Sequence, residues 1–137
     1  MISFTVETDG NLPTGQPLRE AIEQVDEATI GYPVYYRINL SHPKHFERVL
    51  AEGGTWTDRI RGIRAHASRK SHAELNESPV LDDGNPAELG NQYALLTKRI
   101  RNLCVMGGCC GTDHRHLERI AAACAPIFQA ETRGLAI

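Results

Sequence analysis

Four times along this chain a short β-branched or aromatic run gives way to a segment with apolar residues at helical spacing, and that alternation constrains the fold more than any other feature. The extended runs are residues 2–6, 35–40, 62–67 and 103–106. Between and after them the apolar positions repeat as on one face of a helix. The first set is Leu18, Ala21, Ile22 and Val25, after Pro17; the second is Phe46, Val49 and Leu50, after Ser41-His42-Pro43. The third is Leu89, Tyr93, Leu96 and Ile100, after Asn85-Pro86; the last is Leu117, Ile120, Ala121, Cys124 and Phe128, capped by Thr112 or Asp113. Strands separated by helices pair in parallel through right-handed crossovers. The expected fold is therefore α/β, four parallel βα units in one domain spanning residues 1–137, with ligands gathered at the C-terminal strand ends. Residues 68–85 read as a polar loop with one helical turn at Ser71-His72-Ala73-Glu74, which has capping-box spacing; Trp56 reads as packing, and the tail from Gly134 as frayed.

Composition narrows the function classes. A formal charge of -2 over 137 residues gives no electrostatic reason to expect nucleic acid or an anionic membrane surface. No apolar run is long enough to span a bilayer, and Met1 is not followed by a signal peptide. The four cysteines, two of them adjacent, do not resemble a secreted disulfide framework, so a reducing cytoplasm is the expected compartment.

The predicted strand ends bring together residues 7–10, 39–42, 66–69 and 107–112. The last of these holds Gly107-Gly108-Cys109-Cys110-Gly111-Thr112, in which glycine backbone freedom lets two neighbouring sulfurs turn toward one point. Two converging thiolates are half of a soft-metal site, with zinc the usual occupant; a redox pair or a glycine-rich turn with incidental thiols are the alternatives. Cys104, inside the fourth strand, and Cys124, on the last helix, are expected to be core thiols. Asp113, His114, Arg115 and His116 read as a capped polar helix start, and Arg64, Arg69 and Lys70 as a solvated basic rim.

Val105 to Thr112 followed by Asp113-His114 resembles the GGCCGT signature that closes the barrel of the homocysteine S-methyltransferase family. Ser3-Phe4-Thr5-Val6-Glu7 with Asp9-Gly10, and Ile38-Asn39-Leu40-Ser41-His42-Pro43, resemble that family's fifth and sixth strands. The resemblance implies the C-terminal half of a (β/α)8 TIM barrel. It also implies zinc-dependent methyl transfer from a sulfonium or other activated donor to the thiol of homocysteine, giving methionine. Cys109 and Cys110 would be metal ligands. From their strand-end positions alone, Glu7 either faces the pocket as a substrate contact or lies in a solvated loop, and Asn39 either binds substrate or holds the loop backbone.

Two departures from the family pattern stand out. The family takes its third zinc cysteine from the sixth strand, where this chain has Leu40; His42 and His66 are the nearest replacement donors. A full barrel needs about 250 residues, so four units leave two unpaired strand edges, an uncovered inner face and an incomplete substrate pocket. Truncation, a homodimer or a partner chain completing the barrel would each account for this. A non-catalytic remnant or interaction module with weak or no metal binding is the alternative function.

Overall fold

The computed structural model describes residues 1–135, which form a four-stranded parallel sheet with five α-helices. The elements alternate as expected: β1 (Ile2–Thr5), α1 (Leu18–Thr29), β2 (Tyr36–Asn39), α2 (Pro43–Ala51), a 3-10 turn (Thr55–Arg59) and β3 (Ile60–Ala65). The short α3 (His72–Glu77), α4 (Pro86–Arg99), β4 (Val105–Gly108) and α5 (His114–Leu135) follow. Residues 136 and 137, part of the tail expected to fray, lie outside the described residues.

Strand order is β1-β2-β3-β4, all parallel. Successive right-handed crossovers stepping in one direction put every helix on the same side of the sheet. Burial alternates accordingly. Tyr36, Ile38, Ile60, Ile63 and Ala65 point into a core completed by Leu18, Ile22, Phe46, Leu50, Leu89, Tyr93, Leu96 and Ile120. Trp56 is buried among them, and its indole N–H donates to the Gly53 carbonyl. No described helix is long and apolar enough to cross a membrane.

Several local readings shift. The fourth strand begins two residues later than expected, because Val105, not Leu103, enters register opposite Gly62; Gly107 and Gly108 therefore belong to the strand. Cys104 is exposed instead of buried, since it lies ahead of that pairing. Leu117 is 50% exposed and Ala121 is exposed too. The helix packs on α4 through Ile120 and Cys124, and beyond β4 no further described strand covers its other side. The capping box at Ser71 forms as expected.

Candidate metal centre

The cysteine pair is positioned by backbone pairing that continues past the strand ends. The Cys109 amide donates to the Ala65 carbonyl at 2.8 Å, and the Ala67 amide donates to the Cys110 carbonyl at 3.1 Å. His66 is fixed in the same way, its amide donating to the Ser41 carbonyl at 3.2 Å. Beneath this layer Tyr93 of α4 ties β3 to β4: its hydroxyl donates to the Gly107 carbonyl at 2.6 Å and accepts from the Ala65 amide at 3.1 Å. Burial raises the Tyr93 phenol well above its ordinary pKa, so it stays protonated as a clamp.

Two glycines are required by this geometry. A Cβ on Gly108 would lie 2.1 Å from the Thr112 hydroxyl oxygen, and Gly111 has φ +78° with the Asp82 carbonyl 2.4 Å from where a Cβ would sit. Gly107, by contrast, faces open space. The turn is closed by Thr112, whose amide and hydroxyl both donate to the Cys109 carbonyl.

The result is a cluster of three donors: one ligand atom each from His66, Cys109 and Cys110, all within 4.8 Å of one another. His66 Nε2 is buried with no hydrogen-bond partner. An orphaned buried nitrogen is costly unless something occupies it. Burial, helped by His72 and His45, lowers the His66 pKa to about 4, so the ring is neutral and its lone pair available. Burial and the adjacent Cys110 thiol raise the Cys109 pKa. Two sulfurs and an imidazole suit zinc, and three protein ligands leave a fourth position for a small molecule.

The other candidate donor, His42, is used differently. Its Nδ1 accepts from the Lys44 amide at 3.2 Å as the N-cap of α2. Burial lowers its pKa to about 4 as well. Leu40 has φ +55°, and its carbonyl accepts from His72 Nε2 at 2.5 Å. His72 Nδ1 lies 3.3 Å from a Glu7 carboxylate oxygen, and its ring meets the His66 ring edge-on at 5.6 Å between centroids. Glu7, Leu40, His72 and His66 are thus one connected patch. Sequence reading missed His72 and Tyr93, which looked like a helical turn and a core aromatic; only long-range contacts reveal their polar roles.

A cavity of about 540 Å³ opens beside the cluster, lined by His66, Cys110 and His72 with Leu40, Leu75 and Leu81. Its outer wall, the segment between α3 and α4, is pinned from two sides. Asp82 accepts from the Ser68 hydroxyl at 2.7 Å, and His116, fully buried at the start of α5, holds the Asp83 carbonyl through Nε2 at 2.8 Å. The polar helix start at residues 113–116 is capped as expected, Asp113 accepting from the Arg115 amide. Asn39 stands on the sheet face opposite the helices, with its side-chain oxygen buried and unpartnered.

Residues 1–124 match the homocysteine S-methyltransferase family model. The chain belongs to this family. No curated protein and no solved structure matches it. The cysteine pair follows β4 directly, in the turn that closes it, and Leu40 and His66 both line the cavity.

Proposed function

We propose that this chain is the metal-bearing part of a homocysteine S-methyltransferase, with one zinc ion held by His66, Cys109 and Cys110. The observation carrying the reading is the convergence of these three donors, one of them an imidazole bearing an orphaned nitrogen. The family membership supplies the reaction: a methyl group passes from a sulfonium or similarly activated donor to homocysteine, giving methionine.

Zinc bound to two thiolates and an imidazole would accept the substrate thiol at its open position and favour the thiolate at neutral pH. The chain's own residues then hold and orient the substrate. Leu40, Leu75 and Leu81 give the cavity beside the cysteine pair an apolar side against which the substrate's carbon chain would pack. Glu7 and Asn39 serve as polar contacts for the substrate, Glu7 at the rim through the patch it shares with His72, Asn39 through its unpartnered oxygen. In the transfer, the sulfur of homocysteine forms a bond to the methyl carbon as the donor's S–CH3 bond breaks. The bonding pair leaves with the donor sulfur, and the thiol proton has already passed to solvent. Alignment of the two sulfurs about that carbon is the main contribution expected of the protein.

We infer that the chain forms four units of an eight-unit barrel, because among the described residues β1 and β4 are both edges of a parallel sheet whose helices all lie on one side. Leu40 is the observation favouring the alternative, a non-catalytic module, since it removes the family's third cysteine. Metal analysis separates the two: the enzyme reading predicts about one zinc per chain, with binding strengthened by homocysteine. Methyl transfer assayed with S-methylmethionine should follow the metal content. Substoichiometric metal indifferent to homocysteine would leave the non-catalytic module.

A further inference from the structure

The short helix α3 buries none of its residues, so the core does not account for it. Its first turn is nonetheless firmly built. The Ser71 hydroxyl accepts from the Glu74 amide at 3.2 Å, and the Glu74 carboxylate accepts from the Ser71 amide at 2.7 Å. This reciprocal capping fixes the backbone at the helix start, and His72 is the first helical residue it places. The His72 side chain is only 25% exposed and lines the cavity, whereas Ala73, Glu74 and Glu77 are exposed.

His72 meets three strand ends at once. Its Nε2 donates at 2.5 Å to the carbonyl of Leu40, the residue after β2 whose φ is +55°. Its Nδ1 lies 3.3 Å from a carboxylate oxygen of Glu7, beyond the end of β1. Its ring stands against the His66 ring, after β3, at 65° and 5.6 Å between centroids. The two polar contacts anchor the imidazole, so the ring contact is made by a fixed surface. Among the described residues no hydrogen bond reaches the His66 ring. A metal-binding histidine is ordinarily oriented by a hydrogen bond at its second nitrogen.

We infer that His72 is the positioning residue of the candidate metal centre: its anchored ring sets the plane of the His66 imidazole and so aims the donor nitrogen toward Cys109 and Cys110. The inference rests on the three-donor reading above and names the group that replaces the orienting hydrogen bond. Without His72 the His66 ring turns about its side-chain bonds, and ordering it on metal binding weakens the affinity.

A double-mutant cycle on the full chain, read as zinc affinity by competition with a chromophoric chelator, tests this. His72→Ala should weaken zinc binding at least about tenfold in the wild-type background. In the His66→Asn background the same change should cost less than about twofold, because no imidazole remains to be aimed. Far-UV circular dichroism checks folding; if His72→Ala does not fold, His72→Gln takes its place, keeping a donor for the Leu40 carbonyl while removing the ring, with the same outcome expected. Equal losses in both backgrounds would make His72 a merely structural residue and overturn the inference. A loss on His66→Asn but none on His72→Ala would overturn it while leaving the three donors standing. Zinc affinity indifferent to His66→Asn would remove the three-donor reading and this inference together.

Discussion

The rim at the end of β2 and the rim shared by β3 and β4 face the same cavity but have opposite chemistry. At the β2 end, Leu40 offers an apolar side chain and a carbonyl already engaged by His72, and His42 is committed to capping α2. At the β3–β4 rim, His66, Cys109 and Cys110 bring their donor atoms together, with backbone bonds fixing each of them. The resemblance leads us to expect a third ligand from the β2 side; among the described residues the donor that converges with the cysteine pair, His66, lies one strand over. Parallel strand ends stand close together and alternate side chains share a face, so a donor on one strand can stand near a position on the next.

That contrast can be broken most directly at His66. His66→Asn should cost roughly a thousandfold in zinc affinity, about a third of the binding free energy of a three-ligand set, measurable by competition with a chromophoric chelator. The β2 rim should show itself in acid instead. His42 is neutral in the fold, its pKa lowered from 6.5 to about 4. Its contribution to stability is thus complete above about pH 6.5 and disappears as pH falls toward 4, where the unfolded chain takes up a proton that the fold resists. The loss should reach about 3 kcal/mol. In urea titrations of metal-free protein, His42→Asn, which keeps a capping acceptor, should flatten this decline; an unchanged slope would contradict it.

A rescue sharpens the comparison further. Leu40→Cys introduced into the His66→Asn protein should recover at least about tenfold in zinc affinity by restoring a donor on the β2 side, and the same chelator competition reads it. The smallest effects concern the two thiols away from the rim. Cys124→Ser buries a hydroxyl among apolar neighbours and should destabilise by about 1–2 kcal/mol, whereas exposed Cys104→Ser should stay within about 0.5 kcal/mol. Neither should change zinc stoichiometry.

Much of this was legible in the sequence. The βα alternation gave the parallel sheet, since periodicity in Leu89, Tyr93 and Leu96 or Phe46 and Leu50 is local information. Cys109 and Cys110 announced themselves by adjacency and flanking glycines. What stayed hidden depends on contacts far apart in the chain. Choosing His66 over His42 required knowing that the latter accepts from Lys44, and the exposure of Leu117 follows from a missing neighbour, not from its helical position. The polar uses of His72 and Tyr93 likewise lie in bonds to Leu40 and Gly107. Arg64 is exposed, as expected of a solvated residue, and its place in a row with Asn39 follows from strand register, which local polarity does not reveal.

The central claim is the identity of the three donors. X-ray absorption at the zinc edge, on the full chain loaded with one equivalent of zinc, tests it most directly. The account predicts two sulfur scatterers at about 2.3 Å and an imidazole nitrogen at about 2.0 Å, with the imidazole signature lost in His66→Asn. A shell of nitrogen and oxygen without sulfur, or two sulfurs with no imidazole that His66→Asn removes, would contradict it.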